Sequence, residues 1–294
     1  MLDLRTWLEQ TALLWALTCM TVGAPLGCLT LLELGFPRTA SASRLSWRTH
    51  GQPLVFWGIY NLVSILILDG LKPLMSQLHP QPLLPALGDR FLPHPVALAL
   101  DVVLAAMIGD LIYYWYHRFQ HRFLWRFHAM HHSLREMNGF ANYHHFSEAL
   151  MRTLLCGAPT LLLVHDMYAV PIVGVIITLQ GYYLHTTTRL HLGRFGRFVV
   201  DNRFHRIHHS MQPEHFDKNF AIVTTLWDWL FRTAWFPKPD EWPETGVADY
   251  PEPATVRDYL CAPFVWSPRA KPSRAAAPDS GQPAVLSRGS GAVV

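Results

Sequence analysis

The chain has 294 residues, half of them apolar, with only 15% charged and a formal net charge of +3. That balance is too apolar for an ordinary soluble domain of this length. It also lacks the dense Lys/Arg runs that a nucleic-acid partner would need. Four cysteines (Cys19, Cys28, Cys156 and Cys261) form no C-x-x-C pair. They argue against a disulfide scaffold or a zinc knuckle.

A membrane-crossing helix needs about 20 mostly apolar residues. Residues 11–34 supply a first such run, residues 53–71 a second and residues 95–115 a third. Residues 149–164 and 168–184 are shorter, are separated by "HDM", and read as a hairpin that enters the membrane and returns. No N-terminal signal peptide is expected, because the charged n-region is weak and no A-x-A site follows. The loop after the first run holds Arg38, Arg44 and Arg48 with no acidic residue. Basic short loops stay in the cytosol. Counting spans from there places residues 116 onward, and the chain after the hairpin, on the cytosolic side. The expected localisation is the bacterial cytoplasmic membrane or the ER membrane, with the histidines facing the cytosol.

The expected fold class is all-α: a polytopic membrane helical bundle of three spans plus a membrane hairpin, with a cytosolic helical cap carrying a histidine-rich dimetal site. Three regions follow. Residues 1–94 are N-terminal spans and loops, residues 95–265 the catalytic domain, and residues 266–294 a tail rich in Ala, Ser, Pro and Gly that reads as disordered.

The chemistry sits in three stretches. "YHRFQH" places His117 and His121 four apart. "FHAMHHS" carries H-x-x-H-H in His128, His131 and His132. "HRIHHS" repeats that spacing in His205, His208 and His209. Residues three or four apart share a helix face, whereas adjacent residues diverge by roughly 100°. Each triplet can therefore send its two neighbouring imidazoles to two different ions. Eight imidazoles are too many for one ion and enough for two. The absence of paired cysteines removes zinc-ribbon and iron–sulfur readings, and Arg118 after His117 removes H-E-x-x-H. An all-histidine dinuclear iron centre fits best. Zinc can take its place in overexpressed protein, since both metals accept imidazole. Two other classes are alternatives: a membrane metal-binding or transport protein, and a non-catalytic scaffold of the same fold. The first would spread ionisable residues through several spans, and the second would have lost box histidines.

These residues carry a resemblance. "DLIYYWYHRFQHRFLWRFHAMHHS", "YYLHTTTRLHLG", "HRIHHS" and "DKNFAIVTTLWDWLFRTAW" together resemble the fatty acid hydroxylase and sterol desaturase superfamily of integral membrane di-iron enzymes. The likeness is greatest to the branch that contains alkylglycerol monooxygenase. It implies that the eight box histidines are iron ligands and that His185 is a ninth. Some relatives carry another histidine where this chain has Gly181, and His145 in "NYHHFSE" is the candidate to fill that place. Asp110 and Asp228 are expected to support the ligands from behind, since a metal-bound imidazole usually gives its other N–H to a carboxylate or carbonyl. The chain departs from the family at Asp201-Asn202, Thr187 and Phe231-Arg232-Thr233, none of them a proposed ligand. The implied activity is O2-dependent attack on an unactivated C–H bond of a lipid: a fatty acyl chain, sterol, carotenoid or ether lipid. The outcome would be hydroxylation, desaturation or ether cleavage. No flavin, nicotinamide, iron–sulfur or cytochrome b5 motif is present, so electrons are expected from a separate donor protein or a reduced pterin.

Overall fold

The computed structural model describes residues 4–39, 45–78, 92–163 and 169–266. Among them, three helices are long and apolar enough to cross a membrane. They are α1 (Leu4–Gly35), α2 (Gln52–Leu78, entered through a π turn at Trp47–Gly51) and α3 (His94–Phe123). Their outward faces are apolar: Leu13, Met20, Leu31, Leu68 and Val103 are each more than half exposed. In water such surface would be costly, whereas in lipid it is the solvated face. α3 is the most enclosed of the three, and packs Ala105 and Ala106 against Val173.

The expected hairpin takes the form of α5 (Glu148–Arg152), a π turn at Thr153–Gly157, α6 (Ala158–Leu163) and α7 (Ala169–His185). Its tip lies outside the described residues, as do Arg44, His79, most of the loop after α2 and the tail beyond Trp266. Helix lengths place the histidines. At 1.5 Å per residue, His117 stands about 34 Å along α3 from His94. A hydrocarbon core is about 30 Å thick, so α3 is long enough to cross one before it reaches His117.

The region after α7 is less helical than its composition predicts. It holds α8 (Asn202–His208), α9 (Leu226–Leu230) and α10 (Val256–Val265), with 3-10 turns at Gly193–Arg197 and Pro213–His215. The rest is irregular chain pinned by isolated bridges such as Val199–Thr224 and Ser210–Thr245. Among the described residues there is no strand. This irregular backbone delivers the Lys218 and Phe220 carbonyls to histidine side chains.

Candidate metal centre

Four short elements converge. The end of α3 supplies His117 and His121. It breaks at Leu124, and α4 (Trp125–His132) supplies His128, His131 and His132. α7 ends on His185. Asp201 caps α8 by accepting the Phe204 N–H, and that helix supplies His205 and His208, with His209 at its C-cap.

The side chains sort into two groups. His117, His121, His128, His132 and His208 form one, and His131, His185, His205 and His209 the other. Within each group the ring nitrogens lie within 4.8 Å of one another. The neighbours His131 and His132 thus separate, as do His208 and His209, which is the divergence that helical spacing predicts. In the first group, Nε2 of His117 and His128 are 3.0 Å apart, and Nε2 of His121 and His132 3.1 Å. In the second, His131–His185, His185–His205 and His205–His209 face each other through Nε2 at 3.3, 3.4 and 3.2 Å.

Those contacts are not ordinary hydrogen bonds. His117 Nδ1 gives its proton to the Phe220 carbonyl at 2.8 Å, and His128 Nδ1 faces the Glu148 carboxylate at 3.4 Å. A carbonyl only accepts, so Nδ1 carries the proton and Nε2 is a bare lone pair. The same holds in the second group, where His131 Nδ1 meets the Tyr143 carbonyl at 3.1 Å and His185 Nδ1 the Gly181 carbonyl at 2.8 Å. Lone pairs facing lone pairs in a buried site repel unless a cation lies between them. Two nitrogens that each sit about 2.1 Å from one ion, at 90–110°, stand about 3.0–3.4 Å apart. The observed spacings match. His208 Nε2 is buried without a protein partner, which again leaves an imidazole donor for an ion. The donor set, nine imidazoles and no thiolate, suits iron or zinc.

Burial and crowding by neighbouring imidazoles hold His131, His132, His205, His208 and His209 well below the ordinary histidine range. The rings are therefore neutral at pH 7, as metal ligation requires.

A short segment, quoted above for its resemblance but not for this role, orients the first group. Asp217, Lys218 and Phe220 address three of its histidines: Asp217 Oδ1 stands 3.4 Å from His121 Nδ1, the Lys218 carbonyl takes His208 Nδ1 at 2.8 Å, and Phe220 takes His117. The chain achieves this by turning left-handed at Asp217 and Asn219 (φ 58° and 59°). Asn219 locks the turn, donating to the Phe204 and Trp235 carbonyls and accepting the Trp235 N–H. An alternation of Asp and Asn is the signal that marks such a conformation.

Two expectations are corrected. Asp110 and Asp228 do not touch an imidazole. Asp110 accepts the backbone N–H groups of Ile222, Val223 and Thr224 at 2.9, 3.1 and 2.9 Å. Asp228 accepts those of Phe220 and Ala221 at 2.8 and 2.9 Å, and the Thr233 hydroxyl at 2.7 Å. Together they accept five consecutive backbone N–H groups, from Phe220 to Thr224, and so anchor the segment whose carbonyls orient the histidines. His145 is not brought to either group. Its Nδ1 meets Ser147 Oγ at 2.6 Å, and its Nε2 the Leu260 carbonyl at 3.3 Å. Its neighbour His144 lies inside instead, stacked on His131 with ring centroids 4.0 Å apart and 3.3 Å from Glu148. At Gly181 a Cβ would come within 3.0 Å of Asn142 Nδ2, so the position is filled by an amide.

Glu148 is the other residue that sequence reasoning passed over. It is buried, accepts from the Gln120 side-chain amide, and stands between His128 and His144. Burial alone would raise its pKa, but the two imidazoles outweigh that and hold the carboxylate below its usual range.

Residues 102–233 match the sequence family described as fatty acid hydroxylase. The chain is 31% identical over 154 residues to an alkylglycerol monooxygenase of Danio rerio, covering 49% of this chain and 32% of that protein. It is 29% identical over 154 residues to the ornithine lipid hydroxylase OlsE of Rhizobium tropici, covering 51% of this chain and 46% of that protein. Against the human alkylglycerol monooxygenase it is 29% identical over 133 residues, covering 44% and 29%. The chain thus spans less than half the length of these curated relatives. No solved structure matches it.

Proposed function

We propose, from the match of residues 102–233 to the fatty acid hydroxylase family, that this chain is a membrane di-iron oxygenase that uses O2 and externally supplied electrons to hydroxylate an unactivated C–H bond of a membrane lipid. The observation that carries the reading is the sorting of the histidines into two groups, with facing bare Nε2 atoms in each. Two bound irons would supply O2 activation and C–H cleavage, with electrons from a separate donor protein or a reduced pterin.

The chain's own residues do the rest. The proposed ligands of one ion are His117, His121, His128, His132 and His208, and of the other His131, His185, His205 and His209. Phe220, Lys218, Tyr143 and Gly181 hold Nδ1 protons at His117, His208, His131 and His185, which aims Nε2 inward. Glu148 does the same for His128. Trp125 and Phe220 wall the first group, with ring centroids 5.2 and 4.9 Å from His121, and keep bulk water from it. Lipid substrates of the relatives, alkylglycerols and ornithine lipids by their names, support a lipid here.

The test is metal analysis of purified protein, followed by O2 consumption and product analysis with a chemical reductant and a lipid panel. About two irons per chain and a hydroxylated lipid are expected. One metal per chain, or hydroxylation only of a small soluble metabolite, overturns the reading.

A further inference from the structure

A cleft opens at the helix ends, lined among others by Glu33, His50, Arg135, Glu136, Thr187 and Arg206. Its place is set by the helix ends. Glu33 lies in the last turn of α1, His50 in the π turn that opens α2, and Thr187 two residues beyond the end of α7. These ends lie at the same level as the emerging end of α3, so the cleft stands at headgroup depth beside the apolar faces of α1 and α2.

Among the described residues, the charged groups lining it form no ion pair with one another. Glu33 is 1% exposed. Its carboxylate accepts the backbone N–H groups of Thr187 at 2.9 Å and Gly139 at 3.5 Å, and among the described residues no cation reaches it. A buried carboxylate at a membrane face is costly without an opposite charge. Across the cleft, Arg206 is also buried. It gives its Nε–H to the Pro243 carbonyl at 2.8 Å and lies over the Trp242 ring at 4.4 Å. Arg135 gives two of its donors to Met211 Sδ and the Val247 carbonyl. Neither arginine forms an ion pair among the described residues, although each has further guanidinium donors. The cleft therefore presents two carboxyl groups, Glu33 and Glu136, and two guanidinium groups, with no ion pair between them among the described residues.

We propose that this cleft binds a zwitterionic lipid headgroup, with its primary ammonium against Glu33 and its carboxylate or phosphate between Arg135 and Arg206. A lipid, rather than a free zwitterion, follows from the position of the cleft at the helix ends. The proposal rests on the lipid-oxygenase reading only for what happens next. Thr187 is two residues from His185, at most about 7 Å along the chain. Arg206 follows His205 directly. A headgroup held here brings the first atoms beyond it, rather than the far end of a tail, toward the second imidazole group.

The test is lipid binding by the metal-loaded full chain in neutral detergent, read by native mass spectrometry. The panel is phosphatidylethanolamine, an amino-acid lipid with free amine and carboxylate, phosphatidylcholine and phosphatidylglycerol. The first two separate the phosphate and carboxylate sources. At least one of them should bind tenfold or more tighter than phosphatidylcholine, which lacks N–H donors, and phosphatidylglycerol, which lacks the cation. Glu33→Gln keeps the shape and an acceptor, and should erase that preference while metal content stays at the parent level. Arg135→Gln, at an exposed position, should weaken both zwitterions, and it carries the test if the Glu33 variant fails to accumulate. Equal affinity for all four lipids, or an Arg135→Gln protein with unaltered affinities, overturns the proposal. Headgroup selection without any hydroxylated product keeps this inference and sinks the oxygenase reading. Hydroxylation of all four lipids alike does the reverse.

Discussion

His208 and His209 are adjacent in the chain, yet their rings belong to different groups. Replacing each should therefore have separable effects. His208→Ala and His209→Ala are each expected to lose about one metal per chain, from different positions, while the protein still inserts and accumulates, since insertion depends on the spans. Metal analysis with Mössbauer spectra of iron-57 protein would read this. Loss of both metals together in either variant would mean that the groups act as one site. His145→Ala should keep both metals, because its nitrogens are spent on Ser147 and Leu260. The buried rings also set a pH dependence. His131, His132, His205, His208 and His209 have folded pKa values well below the ordinary histidine range, so the unfolded chain binds more protons once pH falls below about 6.5. Stability of the metal-free protein is then full above that pH and is lost as pH falls. The slope is at most about 1.4 kcal/mol per pH unit for each ring. Thermal melts of chelator-treated protein from pH 8 to pH 5 should show Tm falling steeply below pH 6.5, and a flat profile would count against five neutral rings. The histidines were legible in the sequence because helical periodicity acts on side chains. Their orienting partners were not, since the Phe220, Lys218, Tyr143 and Gly181 carbonyls exist in every residue, and only the fold says which point inward.

At the scale of elements, one segment carries much of the site's order. Residues 217–224 address three histidines on one side, and on the other their N–H groups end on Asp110 and Asp228. α3 therefore does two things. It carries His117 and His121, and, two turns earlier, it carries the carboxylate that fixes the backbone orienting His117. An alternation of apolar runs and breaks was enough to find α1, α2, α3 and the two arms of the hairpin. It could not find the irregular chain between α8 and α9, whose shape comes from carboxylate caps and left-handed turns rather than from hydrophobic period. Asp110 was singled out as a costly carboxylate in a span, and the reason for its retention proves to be three backbone N–H groups rather than an imidazole. Asp110→Asn would set its NH2 against one of those donors. It should lower metal affinity by roughly 10–100-fold, as losses behind a ligand commonly do. Asp69→Asn, far from the segment on α2, should leave affinity unchanged. Competition with a chelator of known affinity measures both, and equal affinity in the Asp110 variant and the parent would remove the segment from the argument.

At the scale of the whole molecule, the question is which way the bundle faces. The end of α1, the start of α2, the end of α3 and the end of α7 share one level, and both imidazole groups and the cleft at Glu33 lie there. The basic residues Arg38 and Arg48 flank the α1–α2 connection at that same level, with no acidic residue between them. Lys and Arg in short loops hold such loops in the cytosol. The start of α3 at His94 lies about 34 Å away along the helix, beyond the far edge of a hydrocarbon core of about 30 Å. Two exposed positions therefore report the orientation in a cysteine-free background: Asp240→Cys in the histidine-bearing region and Leu92→Cys ahead of α3. In intact cells a membrane-impermeant maleimide should label the cysteine at 92 and spare the one at 240 until the membrane is opened. The reverse pattern would place the histidines outside, away from cytosolic reductant, and electrons would then have to reach the site from the opposite face. Labelling of both in intact cells would mean that α3 does not cross. The outcome matters for the chemistry as much as for the map, because a centre that depends on an external donor works only on the side where that donor is found.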